Sequence, residues 1–578
     1  MTDGTQHEDD RPAENEAVDK PMTAAPVPDM PASDGDAGDW WWKLLAVGAT
    51  LCLLVPLFIL LKPAAITNAR AAHAIKHGFV QLDNEEGALL YQARELAAGR
   101  SIYRSLEDPP WVAGTYTPVF MWLAGMFDSG GMAGFATGRT IVYASVFLLC
   151  VLMVVMVTSA TRNVVAGMLP ALLLLATMEA YNWIGYFRVD FPALAFSVLG
   201  LSIVVLGRGN RVGLAAAAFF MAVAIFTKQT MVAAPVACVL ALLWQDWRRG
   251  LTLMGWLLAW GGVGALGLGI ATGGQFFVHT ILYNANTWHW NDVLIWCRHI
   301  WNVHRWMVMA AMVALAWWML WGAALRRGEA GRRVVWIELF WLPIVLYGVI
   351  AQWSVLGIGK AGSAENYLLE LIAGWGLLIG LTLGGLMRSM GLGEGGRAMK
   401  ALMTVVVVAV GGMTLMHAVV MGRDGVQEIL MSPYKNATRA DFEAAEHIRE
   451  RMNKVDTAFA ELAVYHLQID EKPVFQPFIM SELARQGRWD ETRFVEMIDN
   501  KEFGLVVALD DLTAVPASAR YTPAMLRAFK RAYRMDELVR TPLWTFYLLV
   551  PRDADKEARE VPEGDYVQNG GDGVEVFS

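Results

Sequence analysis

The sequence predicts an α-helical polytopic membrane protein with about eleven transmembrane helices and a C-terminal α/β portion outside the bilayer. Three observations lead there. Of 578 residues, 55% are hydrophobic and only 18% charged, where a soluble domain carries about a quarter charged residues. Apolar runs approaching the roughly 20 residues needed to cross a hydrocarbon core recur between residues 44 and 421. Beyond residue 421 the charge density rises, and helix and strand patterns alternate. This profile excludes a soluble enzyme, a disordered regulator and a disulfide scaffold.

Residues 1–39 hold eleven acids against Arg11 and Lys20, a net −9 that leaves the other 539 residues at +1. The segment is rich in Pro, Ala and Asp and reads as a disordered acidic cytoplasmic tail. Overall acidity therefore says nothing about substrate, and no basic stripe with interleaved aromatics points to nucleic acid. Cys52, Cys150, Cys238 and Cys297 show no paired spacing, so neither a disulfide framework nor a zinc signature is expected.

The run 44–61 has 18 uncharged residues, too long for a signal-peptide core of roughly 7–15, and reads as the first span. Ten more follow at 141–160, 164–187, 191–207, 212–227, 229–245, 251–271, 306–325, 334–354, 368–387 and 401–421. The stretch 117–127 is too short to cross and reads as an interfacial helix. With it not crossing and the N-terminus cytoplasmic, the inner short loops hold twelve Lys and Arg. The outer ones hold five, namely Arg188, Lys228, Arg298, Arg305 and Lys360. Crossing would invert that tally, against the positive-inside rule. The expected division is a cytoplasmic tail (1–39), a transmembrane domain (40–421) with an extracytoplasmic loop at 62–140, and an extracytoplasmic soluble α/β domain (422–578). In the last, 441–453 reads as an amphipathic helix, and 504–508 and 543–550 as strands. The expected location is the plasma (inner) membrane, with the C-terminus extracytoplasmic.

The outer side collects the chemistry. Asp83, Glu85 and Glu86 place three carboxylates within four positions and offer a general base, although Asp83 and Glu86 also have capping-box spacing. Tyr116-Thr117-Pro118 reads as a helix start with Pro in the first turn. Arg188 and Asp190 flank Val189, a spacing that does not pair on one helix face. Lys228-Gln229-Thr230 follows at the next outer connection. Such cations snorkel to headgroups when isolated; with Lys360 they converge as an anion pocket. The loop Lys360-Ala361-Gly362-Ser363-Ala364-Glu365-Asn366-Tyr367 leads to Glu370, an acid at the top of an apolar helix, which is costly unless it faces a cavity. His289, His299 and His304 lie among tryptophans that suit an aromatic belt and match no metal-ligand spacing. No cofactor is established by the sequence, and a divalent metal stays open without a motif to support it. The Asp-x-Asp matches at 34–36 and 553–555 fall in tails, and 391–396 is a glycine-rich linker.

Read in order, Asp83-Asn84-Glu85-Glu86-Gly87, then Ala93, Leu96, Gly99 and Tyr103, then Tyr116-x-Pro118 and Gly138-Arg139 resemble the C-type (GT-C) membrane glycosyltransferases. These include protein O-mannosyltransferases and bacterial lipid A aminoarabinose transferases, and the likeness is greatest to bacterial members acting in envelope polysaccharide assembly. It covers roughly residues 44–380. Where the family usually has Asp-Glu and Tyr/His-Pro-Pro, this chain has Glu85-Glu86 and Tyr116-Thr117-Pro118.

The resemblance implies a polyprenyl-phosphate-sugar donor entering from the bilayer and a glycan, lipid or protein acceptor. It implies an inverting displacement with Asp83 as the first choice of base, followed by Glu85 and Glu86. Arg188 and Lys228 would meet the leaving phosphate, with Tyr116, Arg139, Asp190, Gln229, Lys360, Asn366, Tyr367 and Glu370 around the substrate. The rival readings are a transporter or flippase, an O-antigen-type ligase or polymerase, and a scaffold for an assembly complex that would use the C-terminal domain and leave the outer pocket idle. The first needs charged or broken helices near midplane, whereas Glu179, Glu338 and Glu370 lie near span ends; the second would use Arg298, His299 and His304.

Overall fold

The computed structural model describes residues 36–128, 130–131, 134–207, 210–325, 341–392, 396–427 and 436–552. The acidic tail, Glu338, the basic loop 326–333, the segments 34–36, 391–396 and 553–555, and much of the run 334–354 lie wholly or partly outside the described residues.

The chain is mostly helical. Among the described residues, six helical segments are long and apolar enough to cross a membrane: Trp40–Lys76, Phe135–Thr161, Trp247–Ala271, Trp290–Leu320, Glu365–Gly391 and Arg397–Gly425. Five shorter apolar helices accompany them, at Val164–Leu175, Asp190–Leu206, Arg211–Ile225, Ala233–Gln245 and Leu342–Gly357. These helices make the chain an integral membrane protein.

Polar residues at the helix boundaries shorten several of the expected runs. Arg162 takes φ 57° after Phe135–Thr161, and Asn163 then caps Val164–Leu175 by accepting from Ala166 N at 3.1 Å. The run expected at 164–187 is broken by Thr177, which accepts from Ala180 N at 3.2 Å and starts a separate turn at Met178–Trp183. Asn210 and Asp246 cap the starts of Arg211–Ile225 and Trp247–Ala271 in the same way. The first helix instead outruns its apolar stretch and continues to Lys76. Arg70 is buried there, its guanidinium 4.7 Å from the Tyr181 ring centre and 5.5 Å from that of Tyr186.

Helix Leu368–Gly391 is the hub of the bundle, buried at nearly every position as far as Gly384. Gly384 permits the close approach of its neighbour: a Cβ there would stand 2.7 Å from the Thr161 side chain. Two polar clusters mark opposite ends of the bundle. Asn163 donates to Thr50 at 3.1 Å, and Arg388 to the Ala160 carbonyl at 2.7 Å, at the end bearing the expected inner loops. The expected outer loops meet at the other end, described below.

Residues 436–552 carry a four-stranded sheet in the order β1-β2-β4-β3, with β1 Ala458–Ala460, β2 Leu505–Ala508, β3 Tyr533–Arg540 and β4 Thr545–Pro551. β1 pairs parallel to β2 (Ala458 opposite Leu505), and β4 runs antiparallel to β2 and to β3 (Val506 opposite Leu549, Tyr533 opposite Pro551). Helix Arg439–Met452 starts at a Thr438/Asp441 capping box. The unit has an aromatic core of its own around Phe459, Phe475, Phe494 and Phe529, into which Trp111 of the first loop is inserted. Trp111 is 1% exposed, its ring 5.6 Å from that of Trp489.

Candidate functional site

Helix Glu86–Ala97 begins directly after the acidic loop, and Glu86 is fully buried. Its Oε1 accepts from Arg139 Nε at 3.0 Å and from Phe187 N at 2.5 Å. Its Oε2 accepts from Arg139 Nη2 at 2.8 Å, Leu82 N at 2.7 Å and Asp83 N at 3.2 Å. Arg139, equally buried, donates onward to the Ala74 and Val80 carbonyls at 2.8 and 2.9 Å. A carboxylate offers about four lone-pair sites, so Glu86 has none left for a substrate. Glu86 and Arg139 form a strut that fixes the acidic loop against the bundle. Half of the expected capping box is present, in the Asp83 N bond to Glu86; the Asp83 side chain accepts from Glu85 N at 3.2 Å rather than from Glu86 N, and Glu85 is the N-cap residue.

The strut leaves Glu85 on the wall of a cleft of about 690 Å³. The opposite walls come from Tyr116, from Trp183 and Arg188, from Lys228 to Thr230, from Asn284 and Asn286, and from the loop Lys360–Tyr367. Arg188 Nη1 donates to Asp83 Oδ2 at 3.0 Å and Nη2 to the Tyr116 hydroxyl at 3.2 Å, with the guanidinium 4.9 Å from the Trp183 ring centre. It comes only within 3.9 Å of Asp190, so the two are not a close pair. Asp190 instead accepts from Lys228 Nζ at 2.6 Å and from Asn366 Nδ2 at 2.7 Å, and Lys228 stands 4.3 Å from the Tyr367 ring centre. Gln229 donates to the Thr115 carbonyl at 2.9 Å. Lys360 donates to the neutral side-chain oxygen of Asn284. His279 braces the adjoining loop, accepting from Gly114 N at 2.9 Å and reaching the Arg104 carbonyl at 2.7 Å. Burial pulls its imidazole down to about 4, so it is neutral and donates to Arg104.

Burial also sets the charge states at the cleft. It raises the Glu85 and Asp83 carboxyls above their usual range, against the opposing pull of Arg188, and it raises the Tyr116 phenol. Lys360 is lowered to about 8, by burial first and then by the charge of Lys228. The cleft therefore offers three cations, of which Lys360 faces a neutral partner, and one carboxylate, Glu85, whose hydrogen-bond partner is a neutral amide (Gln476 Nε2, 2.5 Å). Such a set can hold an anion and accept a proton a few ångströms away.

A second cavity, about 980 Å³ and almost wholly apolar, lies beside it, lined by Leu96, Trp122, Phe226, Trp260, Val263 and Leu268 among others. Trp122 and Val263 are exposed on the helix exterior. Pro118 and Val119 line this groove while Thr115 and Tyr116 line the polar cleft. One short segment thus separates the two. The stretch 117–127 is a helix only over Val119–Phe127, packed on Glu86–Ala97.

Of the residues singled out in the sequence, Glu85, Tyr116, Arg188, Lys228, Gln229, Lys360, Asn366 and Tyr367 meet at the cleft, and Asp83 and Asp190 join through their cations. Glu86 and Arg139 do not reach it, and Glu370 is buried behind it in Leu368–Gly391. His304 and His299 turn to Glu179, at 2.8 and 3.4 Å, and do not line the cleft. Among the described residues no cluster of three or more metal-ligating side chains is arranged around a common point. Sequence reasoning missed Gln476, Phe478 and Ile479, which enter the cleft from the C-terminal unit.

No protein-family model matches the chain, and no curated protein sequence matches it. Among solved structures it is similar to ArnT from Cupriavidus metallidurans. The crystal structure bound to undecaprenyl phosphate has 14% identity and a TM-score of 0.48, over 89% of this chain and 98% of that one. The apo-state structure has the same identity and coverage with a TM-score of 0.46.

Proposed function

We propose that this protein is a membrane glycosyltransferase that moves a sugar from a polyprenyl-phosphate donor to an envelope glycan, lipid or protein acceptor. The observation that carries the reading is the junction of a cation-bearing polar cleft with an apolar groove across the Thr115–Val119 segment. An amphiphile with an anionic head and a long apolar tail fits both at once; a soluble nucleotide sugar would use only one.

In this reading the acceptor hydroxyl loses its proton to Glu85 as its oxygen attacks the anomeric carbon. The sugar–phosphate bond breaks with inversion, and the electron pair leaves on the lipid phosphate. Arg188, Lys228 and Lys360 stabilise that charge as it develops. Glu85 is preferred to Asp83 because Asp83 is held in an ion pair with Arg188, whereas Glu85 lines the cleft with only an amide partner. Asp83 then orients Arg188.

The topology belongs to the same proposal: a cytoplasmic N-terminus, eleven crossings in the plasma (inner) membrane and an extracytoplasmic 422–578. The meeting of the connections at 83–116, 188–190, 228–230, 284–286 and 360–367 at one cleft supports it, because these alternate along the chain with the basic inner loops.

The test is sugar transfer by purified protein from radiolabelled polyprenyl-phosphate-sugar pools. Wild type is expected to consume donor, Glu85→Gln to lose transfer while folding normally, and Asp83→Asn to retain a reduced rate. No donor consumption by wild type would sink the reading.

A further inference from the structure

The C-terminal unit does not merely sit over the cleft; it supplies the side chain that holds Glu85. Residues 474–476 pair with the first loop, Trp111 N donating to the Val474 carbonyl at 2.8 Å and Gln476 N to the Trp111 carbonyl at 2.9 Å. That register places the Gln476 side chain between two fixed groups. Its Oε1 accepts from Ala113 N at 3.1 Å, and its Nε2 donates to Glu85 Oε2 at 2.5 Å. A backbone N–H can only donate and a carboxylate can only accept, so the two partners dictate which way the amide faces.

The ladder is anchored on both sides. Trp111 is buried in the aromatic core of the C-terminal unit, and Trp489 Nε1 donates to the Leu106 carbonyl at 2.9 Å. The same unit grips the acidic loop from the other flank, with Trp544 Nε1 donating to the Gln81 carbonyl at 2.9 Å. Phe478, two residues on, packs against Gly362 of the loop that carries Lys360. Glu482 accepts from Thr287, whose carbonyl in turn receives Ala361 N at 2.8 Å.

We propose that Gln476 is a positioning residue for the transfer reaction, aiming the Glu85 carboxylate into the cleft and coupling the docked C-terminal unit to catalysis. This rests on the reading of Glu85 as the proton acceptor. The charged and titratable groups facing Glu85 are Arg188 and Asp83 and the Tyr116 phenol, with Lys228 and Lys360 farther along the same cleft.

The experiment uses the full chain in detergent or nanodiscs, with a radiolabelled polyprenyl-phosphate-sugar pool as donor, and compares wild type, Gln476→Glu and Gln476→Leu. It records kcat, donor KM and thermal unfolding between about pH 5 and about pH 9, a window chosen to show the acid limb of a carboxylate base. Gln476→Glu keeps an acceptor for Ala113 N and sets a second carboxyl against Glu85. Its acid limb is expected to move up by about one pH unit or more, with donor KM within about two-fold of wild type and kcat down by about ten-fold. Gln476→Leu removes the donor and is expected to move the limb the same way, which keeps the test decisive if the first variant does not fold.

If transfer proceeds in both variants with the wild-type limb, or falls only in step with thermal stability, Gln476 is a structural contact and the proposal is overturned. No transfer by wild type overturns the glycosyltransferase reading instead, and the two failures are told apart by that control.

Discussion

Glu85 and Glu86 are adjacent in sequence, yet the structure gives them opposite tasks, and exchanging each for its amide separates those tasks. Glu86→Gln removes the negative charge opposite a fully buried guanidinium and turns an NH2 toward a ring of donors: Arg139, Leu82 N, Asp83 N and Phe187 N. Breaking a buried, hydrogen-bonded ion pair from one side typically costs about 3–5 kcal/mol, a factor of about 10² to 10⁴ in the folding equilibrium. Glu85→Gln keeps an acceptor oxygen for Gln476 and gives up only the charge on that hydrogen bond, about 1 kcal/mol, and it relieves a carboxyl that burial already disfavours. Losing a general base costs about 10²- to 10⁴-fold in rate. Thermal unfolding followed by tryptophan fluorescence, run beside label transfer, reads both quantities. Glu86→Gln is expected to unfold well below wild type or to fail in purification, and Glu85→Gln to unfold near wild type and transfer almost nothing. A Glu86→Gln protein with wild-type stability would refute the strut, and a Glu85→Gln protein with wild-type transfer would refute the base.

Lys360 carries its charge below about 8 and loses it above, so donor KM is expected to rise as the pH passes through that region. Bound phosphate holds the proton, so the rise begins near the free-protein value and levels off only at higher pH. Lys360→Arg, charged throughout, is expected to keep donor KM flat between about pH 7 and about pH 9.5; a wild-type KM without pH dependence counts against Lys360 as a phosphate ligand. Gly362→Ala meets two obstacles, a φ of +81° and the Phe478 ring where the Cβ would stand. With a left-handed non-glycine costing of order 1–3 kcal/mol, limited proteolysis is expected to nick 436–552 faster while the membrane helices stay protected. Unchanged nicking would show that Phe478 yields freely.

Much of the bundle was legible because a helix in hydrocarbon must bury or face lipid with every side chain, which leaves a long apolar run in the sequence. The cleft cations were legible for the complementary reason: Arg188, Lys228 and Lys360 interrupt those runs at a cost that needs a partner. Helix ends were less so. Lys62 and Pro63 close the first apolar run, yet the helix continues to Lys76 because Arg70 finds the faces of Tyr181 and Tyr186 more than a hundred residues away. The same distance in sequence hid the assignment of the acids. Nothing local distinguishes Glu85 from Glu86; the difference is made by Arg139, 53 residues on, and by Phe187 N, 101 residues on. Gln476 left still less trace, since only Pro477 marks a helix start beside it and its pairing with the segment at Trp111–Ala113 spans more than 360 residues.

On the glycosyltransferase reading, the placement of the cleft also bears on the kind of donor. Its polar groups stand at helix starts and loops, not along the packed interior of Leu368–Gly391, so a charged head can reach them without crossing apolar core. The adjoining groove opens along exposed apolar side chains such as Trp122 and Val263, so a lipid tail can enter sideways. The strip between them is pinned at two points, Thr117 Oγ1 to the Ile225 carbonyl and Val119 N to the Phe226 carbonyl, each at 3.0 Å. That strip ties the start of helix Val119–Phe127 to the end of helix Arg211–Ile225, three residues before Lys228. The proposed head and tail sites are thereby held at a fixed separation by one side-chain and one backbone hydrogen bond, which favours a donor whose phosphate sits directly at the end of its apolar chain. Sugar transfer from a short-chain water-soluble phosphate donor should accordingly be poor even at saturating concentration, because binding of the tail is what sets the phosphate against Arg188 and Lys360.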